Sequence, residues 1–494
     1  MGLRSLDVIS DALRNISPDL TMDDLYKAAD IHDQDVYTML SEAKSDCVFQ
    51  FESNLFKGLL RKIKPHSIQD LAAITSLGRP GPLAVGFPDM YAQAKNEGIE
   101  PPEYLRGIEN ITSPTYHVYV YQEQLMAISR QVAGFDVSQS DSLMRKAIAK
   151  KKVKMFPMIR RCLIYGKKNC EGPDGWESND NLPWYDPKEK YGAEIPGAIK
   201  KGYTAEEMDY FWNSILGFSS YAFNASHAVS YAFISFLMSW LKYHYPLEFL
   251  SATLSLTEDT KQNGYKRTKY IRLADDSFGI KVMPPDINNS EEGFSFDKKK
   301  KIIYFGLSSI KGVGEASYKE IIKNRPYTSL KDVIDKVPKK YFNKRVGIAL
   351  IKGGALDSFN PNRLELLKEF YTLRKDKFED FDTSKYNDAM SIDMEREALG
   401  INLSHKTWWE SVPIGKKFEV DEAFVTKIRE HKDKRGRLMA FITLTMNGCE
   451  VDGIVFASTY SRYQAAFQNK YKRIAVTGKK DDKDEIIVDK ARIA

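Results

Sequence analysis

A chain of 494 residues with 43% hydrophobic and 12% aromatic content can build several packed cores, which excludes a disordered protein and a single small domain. The formal charge of +6 is too small to name a partner by itself, and four cysteines make no disulfide framework. Cys162 and Cys170 have no nearby His or third Cys to complete a zinc site, and the N-terminus lacks the pattern of a signal peptide, so a reducing, cytoplasmic setting is expected.

In chain order, residues 1–60 carry helical periodicity in LDVISDALRNI and MDDLYKAADI, with Asp or Thr at cap positions. SLGRPGPL at 76–83 predicts an irregular loop, because two prolines flank a glycine. Helical patterns dominate from about 118 to 257, interrupted at 171–196 by a block rich in Gly, Pro, Asn and Asp that reads as an exposed excursion. The most apolar run, Val229 to Leu241, is broken by Ser230, Ser235 and Ser239. It is shorter than the roughly 20 residues of a membrane span and predicts a buried helix. After MPPDIN at 283–288 a short β pair is expected, GFSFD and KKIIYFG with a lysine-rich turn, followed by helices to about 375. The polar stretch 376–414 reads as a linker. From 415 the period changes to two, in EAFVTKI, LMAFITLTM, EVDGIVFA, RIAVTG and EIIVDKARI, with a short helix YSRYQAAF after the third strand. That order predicts an OB-fold barrel. The fold class is therefore multidomain, mainly α with a C-terminal all-β OB-fold.

Positive charge is local: KAIAKKKVK at 146–154, KKKK at 298–301 and KKYFNKR at 339–345 suit a phosphate backbone, and equally a solvated face. In DSLMRKAIAKKK at 141–152, Lys146 and Lys150 are i,i+4 neighbours beside Arg145, while Met144, Ala147 and Ile148 can face a core. Such a cationic edge suits a triphosphate, although by pattern alone a plain amphipathic surface helix is the simpler reading. FSSYAFNASHAVSYAF at 218–233 places Tyr221, Asn224, Ser226 and His227 just ahead of the buried helix. Ser226 or Asn224 can cap it, and its N-terminal amides favour an anion; a lone His such as His227 is also at home in a structural hydrogen bond. IKGVGEAS at 310–317 sets Gly312 and Gly314 between helical stretches, beside Lys311. Gly-hydrophobic-Gly there lets backbone N–H groups point outward, as in a helix-hairpin-helix loop on DNA, and also describes a tight αα-turn without ligand. NKRVGIALIKGGALDSF at 343–359, with Lys344 and Arg345, is a second copy of the pattern.

Taken together and in order, GLRSLDVI, DCVFQFES, LGRPGPL, YQEQLM, LMRKAIAKK, GFSSYAFNASHAVSYA, WLKYHYPLEF, MPPDIN, YFGLSSIKGVGE and LIKGGALDSF resemble the C-family replicative DNA polymerases of bacteria and phages, from the fingers onward, across nearly the whole chain. The resemblance implies a fingers region at 1–275, tandem helix-hairpin-helix elements at 276–375, and an OB-fold at 415–494 that meets single-stranded template. It implies nucleotide-binding roles for Arg145, Lys146, Tyr221 and His227, with Arg79 close by. It assigns DNA contacts to Lys311, Gly312, Gly314, Lys344, Arg345 and Lys150. The implied substrates are dNTP and a DNA primer-template, in the cytoplasm of a bacterial cell or a phage-infected host, with no membrane partner.

The chain also departs from that pattern. In the family a palm precedes the fingers and supplies a PDxD-type carboxylate pair and a third Asp, which hold two metal ions. Here the sequence opens at Met1 just beyond that point, and no such pair precedes the fingers. The expectation is that this chain carries no catalytic carboxylate and no metal site. Mg²⁺ would then be held on a separate N-terminal PHP/palm-bearing chain, as in a split gene, and this chain alone would not polymerise DNA. Lys146 replaces the second Arg of the family's pair, and Ala225 replaces a Lys, each trimming the cationic set. Residues 360–395 contain no clear QxxLF-like motif, so a sliding clamp is not supported as a partner. The competing reading is a non-catalytic DNA-binding remnant of a polymerase, which would have no need to keep Arg145, Tyr221 and His227 together.

Overall fold

The computed structural model describes all residues except 1, 100, 102–104, 147–155, 167–194, 220–222, 258–263, 379, 405–407, 447–448, 469–472, 483–484 and 494. The chain divides into two compact units, Met1–Phe249 and Leu250–Ala494. The excursion expected at 171–196 lies largely outside the described residues.

The first unit is helical. Helix α1 (Gly2–Ile16) buries Val8, Ile9, Ala12 and Leu13 on one stripe, as its period requires. Helix α2 (Ile68–Leu77) begins at Ser67, whose side chain caps the Asp70 amide, and is buried from Asp70 to Leu77. The following SLGRPGPL segment is not the loop its prolines predict. Arg79 is extended, as the residue before a proline prefers to be, and Pro80 then opens a short helix α3 (Pro80–Ala84). Proline is tolerated there because the first helical amide has no intrahelical acceptor in any case. Helix α4 (Gln122–Ala133) and the buried helix α5 (Ala225–His244) complete the frame used below. The α5 serines do not interrupt the core. Ser239 returns its hydroxyl to the Ser235 carbonyl at 2.7 Å, and Ser235 reaches the Phe49 carbonyl at 2.8 Å, so each buried hydroxyl is satisfied. No described helix is long and apolar enough to cross a membrane.

In the second unit the expected β pair forms as β2 (Ser295–Asp297) and antiparallel β3 (Ile302–Tyr304). A further strand β1 (Lys281–Met283) adds parallel to β3. Residues from 250 onward belong with this sheet, which is why the unit boundary falls before 275. Ser251 donates to the Phe294 carbonyl at 2.5 Å, and Ser255 accepts from the Phe294 amide at 2.8 Å. On helix α6 (Gly264–Phe278), the Arg267 guanidinium lies 5.5 Å from the Phe294 ring centroid and 5.8 Å from that of Phe305.

Helices α7 (Glu315–Lys323), α8 (Lys344–Lys352) and α9 (Arg363–Arg374) carry the two glycine turns. Part of the stretch expected as a linker is instead packed. Helix α10 (Asp388–Leu399) buries Ser391, Glu395, Ala398 and Leu399, and Glu395 is paired with buried Arg363 at 2.7 Å. The polar composition that reads as a linker hides this because the buried members are partly charged.

The C-terminal strands are β4 (Lys417–Lys432), β5 (Leu438–Met446), β6 (Cys449–Val455), β7 (Arg473–Lys480) and β8 (Ile486–Ile493), with helix α11 (Ala457–Gln468) between β6 and β7. They close in the order β4-β5-β6-β8-β7, and β7 pairs again with β4, giving the predicted OB-like barrel. Alternation places Val425, Leu444, Val476 and Ile486 inside, each contributing about 1.5–3 kcal/mol by burial.

Candidate functional site

Two places collect the side chains that carry chemistry, one in each unit. In the first unit, the entry to α4 and the entry to α5 lie side by side. Tyr121 pairs with Phe223 as an isolated parallel bridge, and the Gln122 amide donates to the Phe223 carbonyl at 2.9 Å. Asn224 caps α5, its side-chain oxygen accepting from the His227 amide at 2.9 Å. Of the two cap candidates in the sequence, Asn224 is therefore the one used.

The predicted residues gather around this seam. The Arg79 guanidinium lies 3.9 Å from the centroid of the Phe223 ring, a cation–π contact that fixes an otherwise exposed arginine. His227 is exposed on the first turn of α5, with its ring 5.2 Å from that of Phe223 and 4.0 Å from that of Tyr231. Arg145 lies on the π-helical turn Ser140–Lys146, which packs against α4. Its Nε donates to Asp141 at 2.5 Å, and that hydrogen bond, with the charges of Asp141 and Glu123, pushes the guanidinium above its ordinary arginine range. Tyr221, Lys150 and the side chain of Lys146 lie outside the described residues. Arg79 and His227 are thus brought to one seam through Phe223, while Arg145 lies on the turn packed against α4.

Reading by motif missed Glu123. Its carboxylate accepts from Asn224 Nδ2 at 2.6 Å and from the Ala225 amide at 2.9 Å. The anion expected at the start of α5 is therefore supplied, at that amide, by the protein itself. A Glu in the first turn of α4 signals only a favourable helix dipole, and nothing local points to a partner a hundred residues away.

In the second unit the two glycine turns differ. Gly312 has φ +98°, and a methyl group there would lie 3.2 Å from Nε of Arg345, so the first turn lies against the first turn of α8. Gly314 precedes α7 with no side-chain cap, and a methyl group on it would meet nothing, so the helix start is open. Lys311, Lys344 and Arg345 are exposed around this turn. The Lys311 amide donates to the Ala398 carbonyl at 2.8 Å, and the Lys344 ammonium lies 5.1 Å from the Tyr371 ring centroid. The second turn is closed instead. Gly354, φ +85°, packs against the Arg363 guanidinium, and Gly353 against Leu399. Sequence treats the two turns as equal copies, whereas only the first offers outward amides beside cations.

Among the described residues, no group of three or more His, Cys, Asp or Glu side chains could hold a metal ion.

Residues 5–170 match the family model of the bacterial DNA polymerase III alpha subunit finger domain, and residues 279–366 match that of the helix-hairpin-helix motif. The DNA polymerase III subunit alpha of Aquifex aeolicus (strain VF5) is 33% identical over 466 residues, covering 87% of this chain and 36% of that protein. Its counterpart in Neisseria meningitidis serogroup A is 35% identical over 374 residues, covering 74% of this chain and 29% of the relative. That of Staphylococcus epidermidis (strain RP62A) is 28% identical over 522 residues, covering 98% of this chain and 45% of the relative. The chain spans less than half the length of these relatives.

Proposed function

We propose that this chain, which belongs to the DNA polymerase III α-subunit family of C-family polymerases, binds the incoming dNTP and the primer-template for DNA-directed DNA synthesis. The observation that carries this reading is that Arg79 and His227 meet at Phe223, on the seam between the starts of α4 and α5, with Arg145 on the turn packed against α4. Three such cation-capable groups suit a triphosphate, whose charge needs several fixed donors. In the reaction the primer 3′-hydroxyl attacks the α-phosphate of the dNTP, a new P–O bond forms, and the α–β bridge breaks to release pyrophosphate. Arg145, joined by Lys146, would hold the phosphates in line and offset charge developing on the leaving group. His227 would donate to a phosphate oxygen, and Tyr221 would border the same pocket. In this reading Mg²⁺ would be held by the carboxylates of a palm domain and would supply charge neutralisation there, with the residues named above positioning the phosphates. In this reading the palm is on a separate PHP/palm-bearing chain, so the present chain alone does not extend primers.

Duplex DNA would lie on the first hairpin turn, with the Gly314 side of α7 presenting amides and Lys311, Lys344 and Arg345 presenting charge to phosphates. The barrel would meet single-stranded template. Fluorescence anisotropy of a labelled primer-template in rising salt tests the DNA part. Lys344→Ala and Arg345→Ala should each weaken binding at all sequences and reduce the slope of log affinity against log salt by about 1. An unchanged slope in both variants would remove the first hairpin from the interface.

A further inference from the structure

Helices α4 and α5 begin beside one another, and one side chain spans the gap. Glu123 takes two hydrogen bonds from the entry to α5, at Asn224 Nδ2 and the Ala225 amide. Asn224 in turn caps the His227 amide, so the backbone that carries His227 is fixed to α4 through Glu123. Phe223, held in the same seam by the Gln122 amide, carries Arg79 on its ring. Arg145 approaches from the turn packed on α4 and feels the Glu123 charge. A carboxylate at two helix starts is favoured by both sets of N-terminal amides, so its position is well determined. Asn224 alone could cap α5; Glu123 adds a side-chain tie to α4 beside the backbone bridge of Tyr121 and Phe223.

Resting on the nucleotide-binding reading above, the geometry points to Glu123 as a positioning residue of the dNTP site. Its carboxylate anchors the α5 entry that carries His227, beside the Tyr121–Phe223 bridge that holds Arg79, and does not itself touch the nucleotide. A shift of about 1 Å between such groups is enough to cost around a hundredfold in a reaction that depends on alignment.

The test is single-nucleotide incorporation by the chain assembled with a palm-bearing partner, with thermal midpoints recorded alongside. Glu123→Gln keeps an acceptor for the Ala225 amide but turns a donor toward Asn224. It should raise KM for dNTP about tenfold while kcat falls less than about threefold and primer-template affinity holds. Asn224→Asp, which caps a helix as well as Asn, sets two carboxylates face to face and should raise KM similarly. The pair Glu123→Gln with Asn224→Asp restores donor, acceptor and net charge, and should return KM to within about threefold of wild type. A purely structural role would lower the thermal midpoint without the split between KM and kcat and without this rescue, and would overturn the assignment. A single-variant KM within about twofold of an active wild type would overturn the assignment and leave the nucleotide-binding reading standing. A wild-type chain that incorporates nothing with its partner would overturn both.

Discussion

Alanine at Arg363 should destabilise the second unit by about 3–5 kcal/mol, the cost of leaving a buried charge without its partner. Arg363 is 1% exposed and Glu395 is 0% exposed. The guanidinium donates to Glu395 at 2.7 Å, to Asp357 at 2.6 Å and 2.9 Å, and to the Lys352 carbonyl at 3.1 Å. The other Glu395 oxygen accepts from the Leu403 and Ser404 amides at 2.6 Å and 3.1 Å. One residue therefore ties the closed glycine turn, α9, α10 and the segment beyond α10 into a single network. Urea unfolding followed on the second unit would read the loss. Arg363→Met combined with Glu395→Met should lose markedly less than Arg363→Ala, because it leaves neither of those charges buried alone. A single-variant loss under about 1 kcal/mol would mean that water or another cation replaces the guanidinium.

The second large effect is expected at Arg145. In the assembled polymerase, Arg145→Ala should lower kcat/KM for dNTP by about 10²–10³-fold, the scale for removing one fixed charge-stabilising donor. Arg145→Lys should fall between, since it keeps the charge and loses the planar fork. Single-turnover incorporation at varied dNTP, with primer-template held saturating, separates this from DNA binding. If Arg145→Ala changed primer-template affinity and left the dNTP dependence alone, the arginine would belong to the DNA interface instead.

What could be read in advance followed the range of the interactions involved. The barrel was legible because strand alternation is a property of adjacent residues, and Val425, Leu444 and Val476 fall inside as that period requires. Gly312 and Gly314 were legible because a glycine turn declares itself locally, while the closed state of the Gly353–Gly354 turn depends on Arg363 and Leu399, which no local pattern connects to it. The helix at Pro80–Ala84 was misread because proline both breaks helices and begins them. α10 was hidden in a polar stretch because its buried Glu395 is neutralised by an arginine 32 positions earlier. At the candidate site, Arg79, Arg145 and His227 could be named only through the resemblance to the polymerase family, since their local patterns equally suit a surface helix or a structural histidine. Glu123 could not be, because its role lies wholly in bonds to Asn224 and Ala225, 101 and 102 positions away.

The most direct measurement of the central claim is primer extension with Mg²⁺ and all four dNTPs, using this chain alone and then mixed with a PHP/palm-bearing polymerase chain. Extension in the mixture, absent from either chain alone and lost with Arg145→Ala, is the predicted result. DNA binding by this chain without any extension in the mixture, and with no response to dNTP, would contradict the account and leave a non-catalytic DNA-binding remnant in its place.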